Sequence, residues 1–176
     1  MGAMNVCRYL GVADEVFYNA ITSFKGASKR LELVKKNNCT AVYKDFAHAP
    51  SKLRATISAM KEQYPTRKLV ACMELHTFSS LTAAFLSQYA GSMDVADEAV
   101  VYFNPHAIEH KKLPPLDSQR VQEAFENDSI KVYTDSNQLM TDIVDMDWTN
   151  ANLLLMSSGN FDGVDFNDLA NKIINL

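Results

Sequence analysis

Short apolar runs that suit buried β-strands alternate with amphipathic segments along this 176-residue chain. The strand-like runs are Cys39 to Asp45, Lys68 to Met73, Glu98 to Phe103, Ile130 to Tyr133 and Asn152 to Met156. Strands that alternate with helices form a parallel sheet, which needs helices on both of its faces. The sequence therefore predicts an α/β fold: a Rossmann-like three-layer sandwich with a mostly parallel sheet of about six strands.

The segments between these runs carry apolar residues at helical spacing. Helices are predicted within residues 5–23, and then from Pro50 to Tyr64, Ser80 to Tyr89, Asp117 to Glu126, Ser136 to Val144 and Phe166 to Ile174. Arg30 to Lys35 precedes the first run across an Asn37-Asn38 turn, which predicts an antiparallel hairpin. Pro105 to Pro115 is predicted to be a long polar loop.

Composition narrows the class of protein. A hydrophobic content of 47% and a net charge of −4 indicate one globular soluble domain that does not bind nucleic acid. No apolar run approaches the roughly 20 residues that cross a bilayer, and no signal peptide is evident, so we expect a cytoplasmic protein without a membrane partner. Cys7, Cys39 and Cys72 predict reduced, buried thiols.

The segment from Asp45 to Pro50 lies where a strand gives way to a helix. Open α/β sheets usually bind ligands at the carboxyl ends of their strands. There the Asp45 carboxylate would accept hydrogen bonds from ribose hydroxyls, and the His48 imidazole would reach phosphate oxygens. The alternative is structural: Asp45 caps the helix and His48 is an ordinary loop histidine.

Two further polar segments follow strands. Backbone N–H groups and hydroxyls from Ser157 to Asn160 suit an anion, although an ordinary turn with Asn160 as a cap and Gly159 at positive φ would look the same. Glu74 to Ser79 contains His76, for which a ligand-facing and a packed position are equally compatible with the sequence.

Two charged patterns favour structural readings when taken alone. Arg30 and Glu32 would share one face of a strand, as solvated strand edges often do. His106 and His110, with Glu109, would suit zinc only if their segment were helical, and the neighbouring prolines argue against that. No metal site is predicted.

Three segments together resemble the C-terminal domain of the Mur ligase family: Phe24 to Glu32, Asp45 to Pro50 and Met156 to Gly163. The resemblance implies that residues 24–176 form that domain. Residues 1–23 would be a cloning remnant followed by the last helix and linker of a preceding central domain. Phe46 stands where the family usually has tyrosine, and Ala49 where the most similar members have a second histidine.

Within the family the resemblance is greatest to the murein peptide ligases, through Met156 to Gly163. Those enzymes join UDP-N-acetylmuramate to the tripeptide L-alanyl-γ-D-glutamyl-meso-diaminopimelate through an acyl phosphate, in peptidoglycan recycling. The resemblance implies ATP and Mg²⁺ as cofactors, with the metal ligands in the central domain. Because this chain has no phosphate-loop motif, we expect it to be inactive alone, as a partner of the N-terminal and central domains.

The resemblance also assigns residues. It implies that the nucleotide is bound by Arg30, Asp45 and His48. It implies that the acceptor is bound by His76, Ser157, Ser158, Gly159, Asn160 and Phe161, and it places no catalytic residue in this domain. Two alternatives remain: a UDP-N-acetylmuramate–L-alanine ligase, whose Pro-His-Arg-Phe segment is similar to the region of His76, and a non-catalytic Rossmann-like binding module.

Overall fold

A computed structural model describes residues 2–24 and 26–175. Met1 of the predicted remnant, Lys25 of the segment from Phe24 to Glu32 and Leu176 of the predicted C-terminal domain lie outside the described residues. Six strands form one sheet in the order β1-β2-β6-β3-β4-β5. Their bounds are β1 Glu32–Lys36, β2 Ala41–Asp45, β3 Lys68–Glu74, β4 Glu98–Tyr102, β5 Lys131–Tyr133 and β6 Ala151–Met156. Only the β1–β2 pair is antiparallel among these strands.

Helices cover both faces of the sheet. The α-helices of the described residues are α1 Gly2–Tyr9, α2 Asp14–Ile21, α3 Pro50–Gln63, α4 Ala83–Leu86, α5 Pro105–His110, α6 Ser118–Phe125, α7 Ser136–Val144 and α8 Phe166–Ile174. Side chains of α3, α4 and α6 pack on one face, and those of α7 and α8 on the other. No helix within the described ranges has the length and apolarity required to span a membrane.

Side-chain alternation along each strand explains the two cores. In β3, Leu69 and Ala71 pack with α3, whereas Val70 and Cys72 pack with α7 and α8. Successive residues of a strand point to opposite faces, so a strand that is apolar throughout must be covered twice. The predicted three-layer α/β fold and the β1–β2 hairpin are therefore confirmed.

The amino-terminal region departs from its prediction. Two short helices, α1 and α2, replace the single helix expected within residues 5–23. Gly11 adopts φ +78°, a left-handed conformation that glycine reaches without strain and that ends the first helix. Val6, Tyr9 and Leu10 expose their apolar side chains, so this region buries little of its own surface.

The predicted loop from Pro105 to Pro115 is wrong, because its first half is helix α5. Pro105 occupies the first helical position, where its fixed φ is favourable and its missing N–H costs nothing. The Asn104 side chain caps the helix by accepting a hydrogen bond from the His106 N–H at 2.9 Å. By contrast, the expected helix from Ser80 to Tyr89 is broken into α4 flanked by 3₁₀ turns.

The cysteines are free, as predicted, but they are not all buried. Cys72 lies in the core, where burial raises the pKa of its thiol. Cys39 is exposed because it belongs to the turn before β2 rather than to the strand, and Cys7 is half-buried. The expectation of burial is therefore wrong for Cys39.

Glu98 links the amino-terminal ends of three strands. It accepts hydrogen bonds from Lys68 of β3 and, at 3.3 Å, from Lys131 of β5, and the Lys68 bond is the main cause that lowers the pKa of Glu98 below its ordinary value of 4.5. A carboxylate with a depressed folded-state pKa contributes stability above its unfolded-state pKa, and that stability is lost as the pH falls through the folded-state value. We therefore expect acid to destabilise the wild type more than Glu98→Gln.

Urea unfolding of both proteins at a series of pH values from neutrality to about pH 3 checks this expectation. The difference between their free energies of unfolding should shrink as the pH falls from about the ordinary pKa of 4.5 toward the lower folded-state pKa of Glu98. A constant difference across the whole series would contradict it.

Candidate functional site

The polar segments singled out in the sequence meet at one edge of the sheet. They follow β2, β6 and β3, which are neighbouring strands, and Met156 is in register with both Asp45 and Met73. The Ser157 N–H donates to the Asp45 carbonyl oxygen at 3.0 Å. The carboxyl ends of these strands therefore bring the Asp45 segment, the Ser157 loop and Glu74 side by side.

Asp45 joins two chain segments. Its carboxylate accepts hydrogen bonds from the backbone N–H of Leu31 at 2.6 Å and from that of Ala47 at 2.7 Å. Helix α3 instead has Ala49 at its N-cap, without a side-chain hydrogen bond. The capping role is therefore wrong: Asp45 holds the Arg30 segment against the loop that precedes α3.

Arg30 precedes β1 instead of lying on it. Its neighbours Lys29 and Leu31 adopt φ +53° and +44°, which turn the chain sharply before the strand begins at Glu32. The expected shared strand face with Glu32 is therefore wrong. The Arg30 guanidinium lies over the Phe46 ring, 5.2 Å from its centroid, in a cation–π contact.

His48 continues this row of side chains. Its ring stands at 84° to that of Phe46, with 5.1 Å between centroids. The His48 Nδ1 lies 2.8 Å from the Phe46 carbonyl oxygen, which only accepts hydrogen bonds, so Nδ1 carries a proton. Arg30, Phe46 and His48 therefore form a continuous polar and aromatic surface beside Asp45.

An open cleft of about 220 Å³ lies at this surface. It is lined by Arg30, Asp45, Phe46, Ala47, Lys52, Ala55 and Thr56. Two cationic side chains and an aromatic ring beside a carboxylate suit a ligand that carries hydroxyls and negative charge.

Tyr89 supports this region from the core. Its buried ring stacks on Phe125, with 5.1 Å between centroids, and its hydroxyl donates to the His48 carbonyl oxygen at 2.6 Å.

Tyr89→Phe removes only that hydroxyl, so we expect the free energy of unfolding to fall by about 1 kcal/mol. Urea unfolding measures the loss. Phe125→Leu, which disturbs the stack but keeps the hydrogen bond, separates the two contributions, and an unchanged stability of Tyr89→Phe would contradict the prediction.

The Ser157 loop is organised around Glu74, which is only 3% exposed. The Ser157 hydroxyl donates to the Glu74 carboxylate and accepts from the Gly159 N–H at 2.6 Å. The Phe161 N–H donates to Glu74 Oε2 at 2.9 Å. The Asn160 side chain accepts from the Gly163 N–H at 3.0 Å and so closes the next turn. The loop is thus tied to the end of β3.

The ordinary-turn alternative fails at Gly159. Positive φ falls instead on Phe161 at +52° and Asp162 at +63°, while Gly159 is absent from the positive-φ residues of the described chain. The Phe161 side chain is fully buried and stacks on Tyr102, so it anchors the loop and leaves only its backbone for a ligand. The Ser158 hydroxyl is buried without a hydrogen-bond partner among the described residues.

His76 lies against the same cluster. Its Nδ1 is 3.4 Å from Glu74 Oε1, and its side chain is 45% exposed. A Cβ atom at Gly159 would stand 2.9 Å from both Glu74 Oε2 and His76 Nδ1, so only glycine fits there. His76, Ser157, Gly159 and Asn160 therefore lie close together, whereas Arg30, Asp45 and His48 form a separate group beside them.

Sequence reasoning did not single out Glu74 itself. The signal was a lone acid at the last position of a strand that is otherwise apolar from Leu69 to Met73. An acid in that position is buried when the strand is central, and a buried carboxylate requires partners. The structure supplies them from the Ser157 loop.

His106 and His110 lie on helix α5, contrary to the expectation of a loop. Their surroundings do not resemble a metal centre. His106 Nδ1 lies 3.5 Å from Glu109 Oε2, and both side chains are largely exposed. Within residues 2–24 and 26–175, no group of three or more histidine, cysteine or acidic side chains is placed to hold a metal ion.

Solved structures share this fold. A murein peptide ligase from Psychrobacter arcticus matches 99% of this chain and 36% of its own with a TM-score of 0.69 at 22% identity. A UDP-N-acetylmuramate–alanine ligase from Thermotoga maritima matches 98% of this chain and 35% of its own with a TM-score of 0.70 at 17% identity. At these identities the likeness establishes the fold alone.

Curated relatives are similar in sequence. The UDP-N-acetylmuramate–L-alanine ligase of Lactococcus lactis subsp. lactis is 31% identical over 120 residues, which are 66% of this chain and 27% of that protein. That of Caldicellulosiruptor bescii is 36% identical over 101 residues, 57% of this chain and 22% of its own. The chain thus spans about a quarter of the length of the curated relatives it matches.

A family model for the Mur ligase glutamate ligase domain matches residues 29–159, a range that begins just before Arg30 and ends within the Ser157 loop. This match covers well over half of the chain and includes Asp45, His48 and Glu74. The chain therefore belongs to the Mur ligase family, whose C-terminal domain accounts for its fold.

Proposed function

We propose that the complete protein is an ATP-dependent ligase that joins UDP-N-acetylmuramate to L-alanyl-γ-D-glutamyl-meso-diaminopimelate through an acyl phosphate. In this proposal the chain binds part of the nucleotide and the acceptor peptide. The observation that carries it is the meeting of the Arg30–Asp45–His48 group and the Ser157 loop at one sheet edge, bonded to each other through the Ser157 N–H and the Asp45 carbonyl.

The first group suits a nucleotide. Each Asp45 oxygen accepts one backbone hydrogen bond and retains a lone pair for a ribose hydroxyl. Arg30 and Lys52 line the adjoining cleft and would attract phosphate oxygens. Mg²⁺, which would neutralise phosphate charge, is proposed to bind elsewhere in the complete protein, since the described residues offer no metal cluster.

The second group suits the acceptor. The exposed edge of His76 and the polar groups of Ser157, Gly159 and Asn160 form a surface for the peptide beside the nucleotide cleft. Closure of this domain over the reacting carboxylate would bring amine and acyl phosphate together and exclude water from the reactive intermediate.

Residues 1–23 are proposed to be a cloning remnant followed by the last helix and linker of the preceding central domain. The exposed apolar side chains of Val6, Tyr9 and Leu10 support this assignment, because isolated surfaces of that kind need a partner to be buried. A ligase that uses ATP and a nucleotide-linked sugar would act in the cytoplasm, on peptide recovered from the cell wall.

L-alanine is the competing acceptor. The curated relatives at 31% and 36% identity are ligases for that amino acid, which favours it. The likeness of Met156 to Gly163 to the murein peptide ligases favours the tripeptide, and His76 lacks the arginine that follows the matching histidine in the alanine enzymes. The tripeptide therefore stays the first choice.

One assay separates these functions. ATP-dependent phosphate release by the full-length protein is measured with UDP-N-acetylmuramate and either the tripeptide or L-alanine. Turnover with the tripeptide alone supports the proposal, whereas turnover with L-alanine alone moves the enzyme to the alanine-adding reaction. No turnover with either acceptor favours a non-catalytic binding module.

A further inference from the structure

The geometry points to Glu74 as the positioning residue of the acceptor site: it holds the His76 imidazole with Nδ1 toward its carboxylate, so that Nε2 accepts a proton from the incoming amine. This inference rests on the proposed ligase function and adds to it a role for two residues. Glu74 does not touch substrate in this scheme, because its carboxylate is buried beneath the Ser157 loop.

Burial and partners explain why Glu74 is suited to this task. Its Oε2 accepts hydrogen bonds from the Ser157 hydroxyl and the Phe161 N–H, which fix the plane of the carboxylate. Its Oε1 faces His76 Nδ1 at 3.4 Å. A buried carboxylate that served stability alone would need only the first two bonds, whereas this one also faces a half-exposed imidazole.

The contact favours one tautomer of a neutral His76. A carboxylate oxygen only accepts hydrogen bonds, so the proton of a neutral His76 belongs on Nδ1 and the lone pair on Nε2. Gly159 lies beside the ring, since a Cβ there would stand 2.9 Å from Nδ1, and its lack of a side chain leaves room for the imidazole in this position. The carboxylate and the glycine backbone thus orient the imidazole from two sides.

An oriented Nε2 matches a requirement of amide formation. The amine of the acceptor is largely an ammonium ion at neutral pH and must lose a proton before its lone pair can attack. The proton passes to Nε2, the nitrogen forms a bond to the acyl carbon, and the carbon–oxygen bond to phosphate breaks. Phosphate leaves with the electron pair and takes the second proton as the amide forms.

Glu74→Gln in the full-length enzyme tests the inference. The amide keeps an oxygen for the Phe161 N–H but presents no carboxylate to His76, so we expect kcat/KM for the acceptor to fall roughly 10- to 100-fold, with the nucleotide KM within about twofold of wild type. Glu98→Gln, which removes a carboxylate from the opposite edge of the sheet, should leave both values unchanged. Wild-type acceptor kinetics in Glu74→Gln would overturn the inference.

A second variant covers the case in which Glu74→Gln fails to fold. His76→Ala removes a half-exposed ring without opening the core, and it should reproduce the loss of acceptor kcat/KM; unchanged kinetics would overturn the inference. Nitrogen-15 NMR of the His76 ring should show a protonated Nδ1 in the neutral wild type and a loss of that preference in Glu74→Gln. Absence of ligation by the wild type, by contrast, would refute the proposed function itself.

Discussion

Asp45→Ala is expected to destabilise the domain and weaken nucleotide use together. The change removes the acceptor of two backbone hydrogen bonds, from Leu31 and Ala47, and releases the Arg30 segment from the loop before α3. Leaving such donors unsatisfied costs about 1–3 kcal/mol each, and partial access to water reduces that, so a loss of about 2–4 kcal/mol in the free energy of unfolding is expected. The nucleotide KM of the full-length enzyme should rise at least about tenfold.

A control carboxylate separates stability from binding. Asp97 also accepts a backbone hydrogen bond, from Leu69 at 2.7 Å, and pairs with Lys61 at 2.7 Å, but it lies at the opposite edge of the sheet. Asp97→Ala should lower stability without changing the nucleotide KM. If Asp45→Ala and His48→Ala both left nucleotide KM and turnover at wild-type values, the nucleotide assignment would be wrong.

Gly159→Ala is expected to impair use of the acceptor substrate without impairing use of the nucleotide. The new methyl group would stand 2.9 Å from Glu74 Oε2 and from His76 Nδ1, and neither group can yield freely because Glu74 is buried and bonded. The loop must shift, at a cost of about 1–3 kcal/mol in the free energy of unfolding. A displacement near 1 Å costs about 100-fold in rate, so kcat/KM for the acceptor should fall by that order while the nucleotide KM stays near wild type.

Glu98→Gln, at the opposite edge of the sheet, provides the control. Thermal unfolding and steady-state kinetics of both variants make the comparison. An alanine at position 159 that preserved acceptor kinetics would mean that the acceptor does not meet this face of the loop.

The strands and the location of the candidate site were predictable because both depend on simple patterns. Runs such as Asn152 to Met156 are apolar throughout, and in an α/β chain only a doubly covered strand accommodates them. Polar residues that follow such strands must meet at their carboxyl edge, which is how Asp45 and Ser157 become neighbours. The strand order, which makes that edge continuous, depends on packing between distant segments.

The wrong predictions share a physical cause: each depends on backbone geometry or tertiary partners that composition does not encode. Pro105 reads as a helix breaker unless its place after the Asn104 cap is known. The left-handed turn at Lys29 and Leu31 is held by Asp45 from 14 residues further along. The Glu74 carboxylate receives its hydrogen-bond donors only when the Ser157 loop, 83 residues later, folds onto it.

The place of β6 has a consequence for how the chain acquires its structure during synthesis. This strand is the last of the six along the sequence but lies between β2 and β3 in the sheet. Until it emerges from the ribosome, those two strands have no partner on their facing edges and expose unpaired backbone groups. Completion of the sheet is therefore a late, long-range event, and the nascent chain depends on β6 for protection of those edges against aggregation.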